Sequence, residues 1–164
     1  MDSSNGQYNR LTEAYTAYAD TLYRIALTHT CSKEDAEDAC QDVFIKYAYT
    51  QISFDSKEHE KAWFIRVLIN HCRDLIRKHK TRTHLSLDEI SEVISDDDKR
   101  NEYADLISIV EELDVKYREV VIIHYLEGYS IEETAKILKA SVSAIKMRLM
   151  RARDMIKEKY GKEE

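Results

Sequence analysis

Proline is absent from the 164 residues, and glycine occurs only at Gly6, Gly128 and Gly161. Both residue types punctuate turns, so their scarcity argues against a β-rich fold and for a long, mostly helical chain. Cysteine is scarce as well. Cys31, Cys40 and Cys72 are odd in number, widely spaced and form no CxxC pair. That pattern supports neither a disulfide framework nor a zinc site, and it fits reduced thiols in the cytoplasm. Cys40 and Cys72 fall on apolar helical faces and read as small core residues, with ligand or redox roles the weaker alternative. Long hydrophobic runs are missing too. The longest aliphatic stretch, Val120–Ile123, is far too short to span a bilayer. The polar start "MDSSNGQYNR" contains no apolar signal segment. The expectation is a soluble, cytoplasmic chain without membrane insertion. No phosphate-binding loop, paired-cysteine metal site or nucleophile constellation is visible, so no enzymatic role, metal or cofactor is expected.

What is present is helical periodicity. A hydrophobic share of 43% suffices for a core. Leu11, Ala14, Tyr15, Tyr18, Leu22, Ile25 and Ala26 recur at helical spacing. "SKED" at Ser32–Asp35 matches a capping box and opens a second helix. Its apolar face carries Ala36, Ala39, Cys40, Val43, Phe44 and Tyr47, and its polar face Glu37, Asp38, Gln41 and Asp42. Residues Ile52–Glu60 break the period and read as a loop. A third helix resumes near Lys61, with Phe64, Val67, Leu68, Cys72, Leu75 and Ile76 as its stripe.

The formal charge of −6 conceals a strong segregation. Arg73, Arg77, Lys78, Lys80 and Arg82 face only Asp74, a local charge of +4. Residues 83–114 then invert to −9, with Lys99 and Arg100 the only cations. The part around "SDDDKRNEY" lacks a strong stripe and reads as a linker. Helical spacing returns near Glu102 with Leu106, Ile109, Val110 and Leu113. The domain boundaries follow: a helical domain over 8–82, an acidic flexible linker over 83–104 and a second helical domain over 105–161. The fold class is all-α.

The last third contains three helical patterns. Tyr117–Leu126 is ended by Gly128, Ser130 with Glu133 caps a short helix, and Lys139–Ala140–Ser141 forms a tight break. Ser141 caps a final helix from Val142 to about Tyr160. On a helical wheel Val142, Ile145, Leu149, Ala152 and Ile156 share the core side. Ser143, Ala144, Met147 and Arg151 point away, flanked by Lys146 and Arg148. An amphipathic helix with a basic face is by itself an ordinary solvated element. A short capped helix, a tight turn and a second helix with small residues at its start make a helix-turn-helix instead. Its first turns fit a major groove, and its cations fit phosphates.

At this point the chain resembles a bacterial sigma factor of the extracytoplasmic-function type, within the sigma-70 family. "EDACQDVFIKYAY" and "KAWFIRVLINHCRDLIRKHKTR" are similar to the family's region 2, including an Asn70, Asp74, Arg77 set. "LDVKYREVVIIHYLEGYSIEETAKILKASVSAIKMRLMRAR" is similar to region 4. The resemblance runs from about Leu11 to Tyr160. It implies a subunit that binds core RNA polymerase at its clamp and flap, opens the −10 promoter element with the first domain and reads the −35 element with the second. It puts clamp contacts at Asp38, Gln41 and Asp42. It puts −10 contacts on the loop near Asp55–Glu60, including Lys57, and at Asn70, Arg73, Arg77, Lys78 and Lys80. The −35 contacts would be Ser141, Ser143, Ala144, Lys146, Met147, Arg148 and Arg151. An anti-sigma factor is an implied partner, and the free chain would be a monomer. Trp63 reads as a core aromatic rather than a stacking platform, and Asp74 as either a −10 residue or a buried salt-bridge partner. The acidic linker is equally a polymerase-threading segment or a solubilising tether.

Two departures stand out. "AIKMRL" replaces the frequent "TVKSRL", so Ala144 and Met147 remove two hydroxyls from the groove-facing surface. Met147 suits a thymine methyl. Asp114–Val115 stands where proline is frequent, at a helix start. A stand-alone helix-turn-helix repressor is the alternative reading. A helical interaction protein without nucleic-acid contact is a third.

Overall fold

The structure is a computed structural model that describes residues 2–79 and 97–161. Lys80, Arg82 and residues 83–96 of the acidic segment lie outside the described residues. No strand occurs among the described residues. The chain divides into two units, residues 1–83 and 84–164.

The first unit packs α1 (Asp2–Thr30), α2 (Lys33–Tyr49) and α3 (Lys57–Lys78) pairwise against one another. Leu22, Ile25, Ala26, Ala36, Ala39, Val43, Phe64, Leu68 and Cys72 are its fully buried centre. An aromatic cluster thickens one end. The Phe64 ring lies 4.7 Å from Tyr47, 5.1 Å from Tyr18, 5.3 Å from Phe44 and 5.2 Å from Trp63. Such tilted pairs add about 0.5–1.5 kcal/mol each beyond area burial. Trp63 is buried, as expected of a core aromatic.

Several boundaries differ from the sequence reading. The helix α1 reaches back to Asp2, through residues that carry no apolar stripe but nothing incompatible with a helix. Tyr15 is 60% exposed despite its helical spacing, and its ring leans on Phe44 at 5.1 Å. In "SKED", Ser32 does accept from the Asp35 N–H. Asp35, however, does not complete a box: its carboxylate pairs with His79 Nδ1 at 3.0 Å, linking the start of α2 to the end of α3. Helix α3 begins at Lys57 rather than near Lys61, because Ser56 caps it by accepting from the His59 N–H. Only Thr50–Ser56 remains non-helical. Along α3, Trp63, Ile65 and Ile69 are buried besides the expected stripe, so the helix is covered on two sides.

The second unit contains α4 (Asp97–Val110), α5 (Val115–Val120), α6 (Ile131–Leu138) and α7 (Val142–Tyr160). Helix α4 starts inside the segment read as linker. Residues 97–104 lack an apolar stripe, which removes the periodic signal without removing helix propensity. Ile107 is buried alongside Val110 and Leu113. Tyr117–Leu126 is not one uniform helix: α5 passes into a π-helical turn at Val121–Leu126. Gly128 at φ +75 then ends the segment, as read.

Arg118 is fully buried and ties this unit together. Its Nε donates to the Val110 carbonyl at 3.0 Å, and its Nη2 to Glu111 and Leu113 at 3.1 and 3.2 Å. A buried guanidinium thus adds charge-assisted bonds to the carbonyls around the end of α4, where Val110 also accepts from the Leu113 N–H at 3.0 Å.

Lys139 carries φ 53 at the end of α6. A side chain in that left-handed region costs about 1–2 kcal/mol. Lys139→Gly is expected to raise stability by about 1 kcal/mol, and Gly128→Ala to lower it by a similar amount. Urea denaturation of both variants checks the pair; equal midpoints would refute the strain at these turns.

Candidate polymerase and nucleic-acid surfaces

The polar face of α2 forms as the sequence indicates. Asp38 and Gln41 are exposed, and Asp42 is partly covered, with its carboxylate 3.9 Å from His71 Nδ1. The i, i+3, i+4, i+7 spacing puts Asp38, Gln41, Asp42 and Ile45 on one side of the helix. Ile45 is 55% exposed, an apolar side chain amid charges, and the sequence reading did not single it out. Next to this face a groove of about 490 Å³ lies between α1 and α2, lined by Tyr15, Asp20, Tyr23, Cys40, Gln41 and Ile45. Cys40 is half-buried rather than a full core residue, yet burial pushes its thiol up to about 12. A thiol so far from ionisation is a poor nucleophile and metal ligand. Among the described residues, no group of three or more His, Cys, Asp or Glu side chains is placed to hold a metal ion.

The proposed −10 residues do not form one patch. Asn70, Arg73 and Arg77 share a side of α3, and Lys78 follows in its last turn. Lys57 stands about 20 Å away along the axis and on a different side. Arg66, four residues before Asn70, completes the Asn70 stripe; its i, i+4, i+7, i+11 spacing was available in the sequence and was missed. Asp74 is 61% exposed and pairs with Arg77 at 3.8 Å. It is therefore not a buried partner, and an exposed pair of this kind contributes about 0–1 kcal/mol and opens readily to a phosphate. Lys80 lies outside the described residues.

Around Lys57 the geometry is more constrained. The stretch read as a loop through Glu60 is shortened: Lys57–Glu60 is the first turn of α3, and Glu60 is buried. Its carboxylate accepts from the Tyr18 hydroxyl at 3.0 Å and from the Tyr47 hydroxyl at 3.1 Å, with Lys57 Nζ at 3.6 Å. Glu60 is thus an anion built into the fold, and it also lines the cleft beside Lys57. Burial first, then the Glu60 charge, raises the Tyr47 phenol above its ordinary value. On the far side, Arg10 of α1 donates from Nε to the Tyr47 hydroxyl at 3.0 Å, and its guanidinium lies 4.4 Å from that ring's centre. Arg10, Ile52, Phe54 and Lys57, with Gln51 and Ser53, line a cleft of about 580 Å³. Neither Arg10 nor Glu60 carries a motif that would have singled it out.

In the second unit the helix-turn-helix forms with the expected caps. Ser130 and Glu133 make a reciprocal capping box, with bonds of 3.0 and 2.9 Å. Lys139 turns the chain, and Ser141 accepts from the Ala144 N–H at 3.1 Å. Ile145, Leu149 and Ala152 are buried. Val142 is 36% exposed, a correction to its placement on the core side: it is the first residue of the helix, at its exposed end. Ile156 is only half-buried. Ser143, Lys146 and Met147 are exposed, and Ala144 and Arg148 sit at the rim. Arg151, though exposed, hydrogen-bonds the Tyr117 hydroxyl and lowers its pKa. Arg151 is therefore partly committed to α5. His124 donates from Nδ1 to the Tyr129 carbonyl at 2.7 Å, which fixes it as a rim residue of the π-turn.

Two compact helical units, one carrying a helix-turn-helix, define a sigma-70 architecture. Sigma-70 region 2 matches residues 14–82, and sigma-70 region 4 matches residues 103–156. The chain is 30% identical to the ECF RNA polymerase sigma factor SigM of Bacillus subtilis over 92% of its own length and 94% of that protein's. It is 28% identical to RNA polymerase sigma factor SigV of the same organism, over 94% and 93%. The solved complex of CnrH with the cytosolic domain of CnrY has a similar fold, with a TM-score of 0.73, 24% identity, and 99% and 95% of the two chains covered. The chain belongs to the sigma-70 family. Within it, it is an RNA polymerase sigma factor of the extracytoplasmic-function group, which displaces the stand-alone repressor reading. Among the described residues no helix is long and apolar enough to cross a membrane.

Glu60→Leu leaves two buried tyrosine hydroxyls without their acceptor. It is expected to lower stability by about 1–3 kcal/mol and to bring the Tyr47 phenol back toward its ordinary value. Urea denaturation and ultraviolet titration measure both; an unchanged midpoint would show that water replaces the carboxylate.

Proposed function

We propose that this sigma factor engages core polymerase through the α2 face, opens the −10 element with α3 and the Thr50–Ser56 connection, and reads the −35 element with α7. In that division of labour 8–82 is the first domain and 105–161 the core of the second, with α4 extending the second back to Asp97 into the 83–104 segment. The observation that carries the reading is the separation of charge and exposure by face. On α2, Asp38, Gln41 and Asp42 surround the exposed Ile45, an apolar anchor inside a polar rim, as a protein interface requires. On α3, Arg66, Asn70, Arg73 and Arg77 form a cationic stripe suited to a phosphate backbone.

The 580 Å³ cleft beside Lys57 suits an unstacked base, and its polar rim of Gln51 and Ser53 suits a base edge. Opening a duplex without ATP needs a single strand that binds better than the duplex, and such a pocket with flanking cations supplies the difference. On α7, Ser143, Ala144 and Met147 permit close approach to a major groove, with Lys146 and Arg148 for phosphates. Met147, half exposed, favours contact with a thymine methyl. The chain acts by binding rather than by catalysis, as a monomer in the cytoplasm. An anti-sigma protein covers the same polymerase-facing surfaces when the factor is held inactive.

Core polymerase binding and promoter mobility shifts test the reading together. Replacing Asp38, Gln41 and Asp42 by alanine is expected to weaken core association at least about tenfold. Duplex promoter is expected to shift strongly only when core is present. Tight palindromic DNA binding by the chain alone, unaffected by core, would overturn the reading.

A further inference from the structure

The connection from Thr50 to Ser56 is short, exposed and without regular structure, yet it is pinned at three points. Its end is fixed by Ser56, which caps α3 by accepting from the His59 N–H at 3.2 Å. Its middle is fixed by Phe54, whose ring meets Trp63 edge-on at 5.8 Å. Its start is fixed by one side chain from a different helix. Arg10 Nη1 donates to the Thr50 carbonyl at 3.2 Å, and Nη2 to the Ile52 carbonyl at 2.8 Å. Thr50 is extended, with φ −87 and ψ 142, and an extended run turns carbonyls two apart to the same side. Arg10 therefore holds the peptide units before Gln51 and after Ile52, which bracket that pair.

We propose that Arg10 is a positioning residue for −10 recognition: its guanidinium sets the shape of the cleft by holding Thr50 and Ile52, and so aims Gln51 and Ser53 at the captured base. The proposal rests on the assignment of this connection to the −10 element. Arg10 lines the cleft but acts through the backbone it holds. The chemistry requires arginine. Three acceptors, the Tyr47 hydroxyl and two carbonyls, are met by three nitrogens of one planar group. A lysine offers one nitrogen and cannot reach all three at once. The chain Arg10–Tyr47–Glu60 also runs from α1 through α2 to α3, so the side chain that holds the start of the connection is tied to the helix that follows it. Without Arg10 the two carbonyls are satisfied by water, and the loop loses its single conformation while the three helices keep their core.

The test uses holoenzyme reconstituted from core polymerase with the full chain, titrated with a labelled single-stranded oligonucleotide. The oligonucleotide carries the non-template −10 segment of a promoter selected by run-off transcription; single-base variants serve as comparison. Arg10→Met and Arg10→Lys are expected to weaken cognate binding about tenfold and to compress the ratio between cognate and variant bases, with core association and −35 duplex binding within about twofold of the unaltered chain. Arg10→Lys retains the cation, so full discrimination in that variant would overturn the proposal. Parallel loss of core association and −35 binding in both variants would mark a role in the fold at large and would also overturn it. Phe54→Ala separates the two levels of the argument. If it leaves −10 binding unchanged, the assignment of the connection to the −10 element fails. If it weakens −10 binding while both Arg10 variants discriminate like the unaltered chain, the role of Arg10 alone fails.

Discussion

A single buried carboxylate organises the first unit. Glu60 sits at the start of α3 with two tyrosine hydroxyls donating to it, one from α1 and one from α2. Burying an anion is costly unless its lone pairs are filled, and here they are filled by groups from every helix of the unit. The consequence is directional. The carboxylate can be satisfied only when the three helices meet at one register, and that register fixes where the Thr50–Ser56 connection leaves α2 and enters α3. Aromatic packing around Phe64 supplies the bulk of the adhesion, and the polar network supplies the geometry.

The second unit solves the same problem with the opposite charge. Arg118 is buried whole and donates to three carbonyls at and just after the end of α4. After the π-turn, Gly128 breaks the helix and the Ser130–Glu133 capping box starts α6. Downstream, a left-handed lysine and two serine caps set the angle at which α7 leaves the turn. The Ser130 and Ser141 caps have defined partners, which supports the exposed face of α7.

Much of this was legible in the sequence, and the failures share a cause. Periodicity located α2, α3, α6 and α7, and the capping residues Ser130 and Ser141 gave their starts. Periodicity reports only burial on one side. It therefore overcounted Tyr15 and Val142, which have helical spacing but stay exposed, and it undercounted Ile65 and Ile69, which lie on the second covered side of α3. The helix at Asp97 was read as linker because its residues have helix propensity without a stripe. The faces bearing Asp38, Gln41 and the α7 residues were read correctly as exposed. Arg10 and Glu60 were invisible, because their partners lie more than a dozen residues away in sequence and a lone charge in a helix gives no signal of burial. Long-range polar networks are the part of a fold that local pattern cannot carry.

The two units together give a chain whose negative total charge conceals one cationic surface in each half. One follows α3, and the other follows α7. The account holds that these surfaces serve one event, in which polymerase lays a promoter across both and the strand separates at the first. Permanganate probing of thymines on a promoter found by run-off transcription tests this most directly. The account predicts reactive −10 thymines with core polymerase and this chain together, and none with either alone. Unreactive thymines in the complete mixture, on a template that is nevertheless bound, would contradict it.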